Sequence, residues 1–233
     1  STYCPLLKKL RVPSIPRIST EQNVALCAPA LFCIHYTTTP YEWLEGDDNN
    51  DASQYAMAVP YLTELRGLNA MGHLDHVLLP LISQYCLKLE SIDIDETCSA
   101  TTAQLLQFAE NCKQLKDIHL ACYEIYSVTF VVGLIQRSLN LQKLTIFIQG
   151  IDIILTDVIL LALSEHCRQL ERLEIYGPLQ ITEAAVLQLV QQCKHLHTLA
   201  LPDTYNFYDT VFGLPVEVKV KHSKTVYYFD RKL

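Results

Sequence analysis

Between residues 74 and 202 one pattern recurs five times, and a period of this kind constrains the architecture more than any local signal. With Cys86, Cys112, Ser138, Cys167 and Cys193 as position zero, the spacings are 26, 26, 29 and 26 residues. Three, six and eight residues after each zero position the chain is apolar, from Leu89, Ile92 and Ile94 in the first copy to Leu196, Leu199 and Leu201 in the last. Seven and four residues before it stand Leu79 and Ile82, Leu105 and Phe108, Val131 and Leu134, Leu160 and Leu163, Val186 and Leu189. An i, i+3, i+7, i+10 stripe predicts a helix buried on one face. The switch to period two at plus six and plus eight predicts a short strand after it.

Eleven residues before each zero position stand Asp75, Thr101, Ser127, Thr156 and Thr182, all side chains able to accept from an orphan amide at a helix start. Pro80 lies five residues past the first of these, too deep for a free first-turn proline, so that helix is expected to kink or start late. One helix-strand unit cannot bury its own apolar face. Stacked units share a continuous core and a parallel strand ladder.

The motif C-x-x-L-x-x-L-x-L, preceded by T-(D/E)-x-x-(V/L)-x-x-L as in ITEAAVLQLVQQCKHLHTLAL over 181–201, resembles the cysteine-containing leucine-rich repeats of F-box proteins. The resemblance implies an α/β fold: a curved leucine-rich-repeat solenoid with a parallel strand ladder inside and helices outside. It implies the substrate-recognition part of a ubiquitin ligase adaptor, reaching cullin-type ligase components through a segment outside these 233 residues. Such a segment is expected because the chain opens at Ser1 with Cys4 already in a repeat-like motif.

We read residues 1–233 as one solenoid, with five regular repeats over 74–202. Residues 1–73 hold irregular repeats: Cys4, Leu7, Leu10 and Val12 reproduce the motif, two degenerate copies are expected after them, and Ser19 with Gln22 forms a capping-box pattern. An acidic, turn-rich insertion occupies 42–55. Over 203–233 the repeat gives way to alternation at Val216, Val218 and Val220, a turn at 222–224, and a second run from Thr225 to Phe229. This predicts a β-hairpin cap on the last strand edge.

Half the residues are hydrophobic, enough for a large core, and a net charge of -7 from 25 acids and 18 bases argues against a nucleic-acid partner. The cysteine count of nine is odd, and most of the repeat's zero positions are cysteine, which is how buried thiols in a reducing compartment behave. Cytoplasm or nucleus is expected, with mitochondria left open. No apolar run reaches the roughly 18 residues of a membrane helix, so no membrane partner is expected.

Positions plus five, seven and nine point away from the core. These columns contain Asp93, Asp95, Asp117, His119, Lys143, Phe147, Arg172, Glu174 and Tyr176, which we take as the partner-binding concave face: an acidic cluster (Asp93, Asp95, Asp117) beside an aromatic patch (Phe147, Tyr176). The alternative is a solvated face without a purpose. Three acids alone make a poor calcium site without a glycine-turned loop. His73 and His76 straddle the first cap with no second ligand pair, so no metal site is assigned. Cys98 and Cys122 are read as structural. The basic tail, Lys219, Lys221, Lys224, Arg231 and Lys232, reads as protection of an edge strand.

No phosphate loop, nucleophile elbow or metalloprotease motif occurs, so neither an enzyme nor a cofactor is expected. The leading expectation is a protein-interaction module. The second is a structural subunit of a large assembly, mitochondrial assemblies included, and the weakest is a ligand sensor. An uncovered solenoid end also predicts a bound partner or a homodimer.

Overall fold

The computed structural model describes residues 9–12, 33–36, 59–69, 76–94, 98–122, 127–148, 154–202, 216–220 and 224–229. Cys4, Leu7, Ser19, Gln22, the 42–55 insertion, His73, Asp75, Asp95, Lys221, Arg231 and Lys232 lie outside them. The fold is α/β, and the chain forms two compact units, 1–115 and 116–233.

In the first unit four strands pair in parallel: β1 (Lys9–Val12), β2 (Cys33–Tyr36), β3 (Gly67–Asn69) and β4 (Ser91–Ile94). Leu10, Ile34, Leu68 and Ile92 stand in register, at intervals of 24, 34 and 24 residues. The long interval is the one holding the acidic insertion. Helix α1 (Leu78–Tyr85) packs on α2 (Thr102–Asn111). Helix α1 starts late, as Pro80 requires. The proline is its third residue, among the first four whose amides have no intrahelical acceptor, so the missing N–H costs nothing there. Val77 precedes α1 without a side-chain cap.

In the second unit β5 (Asp117–Cys122), β6 (Lys143–Ile148), β8 (Arg172–Tyr176) and β10 (Thr198–Pro202) are parallel neighbours. Strands β7 (Leu155–Thr156) and β9 (Leu179–Gln180) form a separate parallel pair. Helices α3 (Val128–Arg137), α4 (Asp157–His166) and α5 (Glu183–Gln192) follow one another, with α4 packed on both others. The tail forms an antiparallel hairpin of β11 (Val216–Val220) and β12 (Lys224–Phe229). Strand β12 runs antiparallel along β10, which gives β10 a partner on its far edge.

The repeat columns are the core. Leu79, Leu105, Val131, Leu160 and Val186 are buried in the helices, and Ile92, Ile118, Leu144, Leu173 and Leu199 in the strands. Each zero-position residue is the C-cap of its helix, and its carbonyl accepts from the amide three residues on, as Cys167 does from Leu170 at 3.0 Å. The zero position is also where one repeat bonds to the one before it. The Cys112 thiol donates to the Cys86 carbonyl at 3.9 Å, Cys167 to Ser138 at 3.6 Å, and Cys193 to Cys167 at 3.5 Å. Small size is therefore not the site's whole requirement. Ser138 fills the volume, but its hydroxyl is buried without a hydrogen-bond partner.

A second link fixes strand register. One carbonyl ahead of each of β3, β5, β6 and β8 accepts two amides from the next repeat. The Lys116 carbonyl takes Gln142 and Lys143, both at 2.8 Å; Gln142 takes Glu171 at 2.7 Å and Arg172 at 3.0 Å; Glu171 takes His197 at 2.9 Å and Thr198 at 3.2 Å. The Arg66 carbonyl does the same for Glu90 and Ser91.

Three of the expected caps form. Thr101 makes a full capping box with Gln104, Ser127 accepts from the Phe130 amide, and Thr182 from the Ala185 amide. Thr156 is a correction: it precedes α4 but its side chain makes no capping hydrogen bond. The Asp157 carboxylate, one residue later, instead accepts from the Thr182 amide at 2.6 Å and the Thr182 hydroxyl at 2.8 Å, tying the starts of α4 and α5 together.

Candidate functional site

Alternation along β5, β6 and β8 places one side chain in the core and the next on the outward face, where Ala121 is nonetheless buried. The register then brings outward residues of different strands side by side in three rows. Asp117, Lys143 and Arg172 form the first; His119, Thr145 and Glu174 the second; Ala121, Phe147 and Tyr176 the third. Six of the expected surface residues other than Asp117 thus share one face with it, all within the second unit. Asp93, opposite Asn69 on β4, belongs to the first unit.

Of the expected acidic cluster, Asp117 lies in this unit and has a basic neighbour. Lys143 Nζ lies 3.8 Å from Asp117 Oδ2, with the two side chains 49% and 43% exposed. Arg172 Nε contacts Glu174 Oε1 at 2.7 Å, and the Tyr176 hydroxyl donates to Glu174 Oε2. Glu174 and Arg172 are two residues apart on one strand, so the pleat alone puts them on the same side. With both oxygens engaged and only 18% of its side chain exposed, Glu174 is a buttress. Burial pushes the Tyr176 phenol up to about 12; the Glu174 hydrogen bond and charge add to this and Arg172 opposes it. The phenol therefore stays protonated, and donating, at neutral pH.

Phe147 stacks on Tyr176 with ring centroids 4.8 Å apart and an interplanar angle of 24°, and remains 36% exposed. An offset ring pair of this kind is a rigid apolar platform. Its position depends on Gly177, which sequence reasoning passed over. Gly177 has φ of 120°, and a Cβ there would lie 2.7 Å from both Cβ and the carbonyl oxygen of Ile148. Only glycine lets the chain turn past Ile148 immediately after Tyr176. A lone glycine at a strand end is the signal that could have found it.

Strand β10 differs. Its outward residues Thr198 and Ala200 are only 4% and 2% exposed, so the open face stops at β8 on that side.

Five thiols among the described residues are buried. Cys86, Cys98, Cys112, Cys167 and Cys193 are free and buried, and burial pushes Cys86, Cys112 and Cys167 up to about 12, with neighbouring Cys86 and Cys193 adding to the last two. A thiol neutral at pH 7 is a poor nucleophile. Among the described residues no group of three or more His, Cys, Asp or Glu could hold a metal ion, and no helix is long and apolar enough to cross a membrane.

The first unit contains a groove of about 670 Å³ between α1 and α2, lined by Pro80, Gln84, Leu87 and Gln104 among others. Three of its polar groups bond one another: Asn111 Nδ2 donates to Ser83 Oγ at 2.7 Å and Gln107 Nε2 to Asn111 Oδ1 at 3.1 Å. These amides serve helix packing. The exposed rows of the second unit are the better candidate. Comparison of the chain with known protein families finds no family model that matches.

Proposed function

We propose that this chain is a protein-interaction module that grips a partner on the outward face of β5, β6 and β8 and catalyses no reaction. The observation that carries the reading is the Phe147–Tyr176 stack, exposed yet held by Glu174 and framed by Lys143 and Arg172. Interface hot spots favour aromatic and arginine side chains fixed on a stiff support. Strands paired on both sides supply the stiffness.

The repeat pattern and the parallel pairing of successive strands support a leucine-rich-repeat solenoid, curved with the strand ladder inside. On that architecture this face is the concave one. The resemblance of the repeat to those of F-box proteins supports a substrate-recognition role in a ubiquitin ligase adaptor, in a reducing compartment where the thiols stay free.

The test is affinity purification of the intact gene product from its native cells, wild type beside a Phe147→Ala/Tyr176→Ala double variant. Wild type is expected to recover a partner that the double variant loses, with the variant's circular dichroism unchanged. Equal recovery by both overturns the surface assignment. Co-recovery of a cullin and its small linker protein supports the adaptor role, whereas a fixed stoichiometric set from one large complex replaces it with a structural-subunit role.

A further inference from the structure

We propose that the chain pairs with a second copy of itself along β11, strand against antiparallel strand, about a two-fold axis through Val218. Three observations lead there.

The first is an open edge. Strand β12 is paired with β10 on one side and β11 on the other, whereas β11 is paired only with β12 among the described residues. The hairpin thus covers β10 and moves the open edge outward, where the unpaired amides and carbonyls of an edge strand are a template for another strand. The hairpin register sets Glu217 opposite Tyr228 and Lys219 opposite Val226, so neither stands opposite a charge on β12.

The second is the sequence of that edge. Val216–Val220 reads V-E-V-K-V, with the two charges placed symmetrically about the central valine. Antiparallel pairing of two copies about Val218 sets Glu217 opposite Lys219 of the second copy, twice over, with valine opposite valine at every other position. Opposite charges facing one another across an antiparallel pair stabilise it, and like charges destabilise it. Directly opposite residues stand about 5 Å apart, against roughly 6.8 Å between Glu217 and Lys219 along their own strand, so the pairing brings each a nearer partner.

The third is register. Moving the axis to Glu217 or to Lys219 sets like charges opposite each other, and moving it to a point between residues sets the charges against valines. Only the axis through Val218 suits the whole strand. Strand β1 of the first unit is also paired on one side only, with β2. Its charges are Lys9 and Arg11, and two copies paired about Leu10 would set cation against cation. A lysine on an edge guards against pairing in this way, and on β11 Glu217 removes that guard in one register. A two-fold contact is self-complementary and closes at two copies.

The experiment is sedimentation velocity of the full chain over a concentration series. Wild type is expected to pass from monomer to dimer as concentration rises. Glu217→Lys and Lys219→Glu should each weaken the dimer about tenfold, because each turns both charged pairs into like-charge pairs. Mixed in equal amounts, the two variants should dimerise as wild type does, since each then meets its opposite charges on the other. The double swap Glu217→Lys/Lys219→Glu should restore the homodimer, and rescue of this kind separates loss of pairing from loss of folding. Monomer at every concentration, species larger than two copies, a dimer indifferent to both single variants, or a mixture or double swap that stays monomeric overturns the inference. The outward rows of β5, β6 and β8 take no part in this contact, so its failure leaves the proposed partner surface standing.

Discussion

The two sides of the strands in the second unit follow different rules. On the inner side Ile118, Leu144, Leu173 and Leu199 are interchangeable in kind and all buried. On the outer side the same strands carry lysine, arginine, threonine, glutamate and two stacked aromatics within two neighbouring strands. The inner side answers to packing, which permits only apolar side chains of the right volume. The outer side is constrained less by volume than by the contacts its side chains make with one another, so under the proposed function its residue choices reflect the partner.

This contrast can be tested by substitution, and the largest effect belongs on the inner side. Leu173→Ala should cost about 2–5 kcal/mol of unfolding free energy through the cavity it leaves, whereas its neighbour Arg172→Ala should stay within about 0.5 kcal/mol. Urea denaturation of both variants measures the difference, and similar losses would abolish the distinction between the sides.

Strand β10 is where the rule should break. Thr198 faces outward yet is covered, so Thr198→Lys is expected to cost about 1–3 kcal/mol, while Thr145→Lys, at the half-exposed outward position on β6, is tolerated. Equal tolerance in thermal melts would return β10 to the general pattern.

The smallest effect has the opposite sign. Ser138 places an unpartnered hydroxyl on the inner side, so Ser138→Ala should raise stability by about 1 kcal/mol. A lower denaturation midpoint would show that the hydroxyl contributes a bond after all.

Much of this was legible in the chain. The −7, −4, +3, +6 and +8 columns identify core residues because burial selects side-chain class at fixed period, and Thr101, Ser127 and Thr182 were readable as caps because capping is local. What escaped the reading depends on partners distant in sequence. Asp157 binds Thr182 across 25 residues, and the thiols of Cys112, Cys167 and Cys193 each donate to a carbonyl a full repeat away. The columns did place Lys143 beside Asp117, but a column gives adjacency without saying which charges close on one another. Gly177 was missed for a related reason: its necessity comes from Ile148 on the neighbouring strand.

The carbonyl that receives two amides ahead of β3, β5, β6 and β8 has a consequence for how such a chain can change over generations. Where it occurs it resets the alignment of the next strand, so length differences in the connections do not accumulate. Thr156 comes eight positions after the end of β6 at Ile148, against five positions from Cys122 to Ser127, yet Lys143 still stands opposite Arg172. Insertions after a strand can therefore lengthen or vanish while the outward rows keep their order. A lineage can remodel its loops without redrawing the surface beside them.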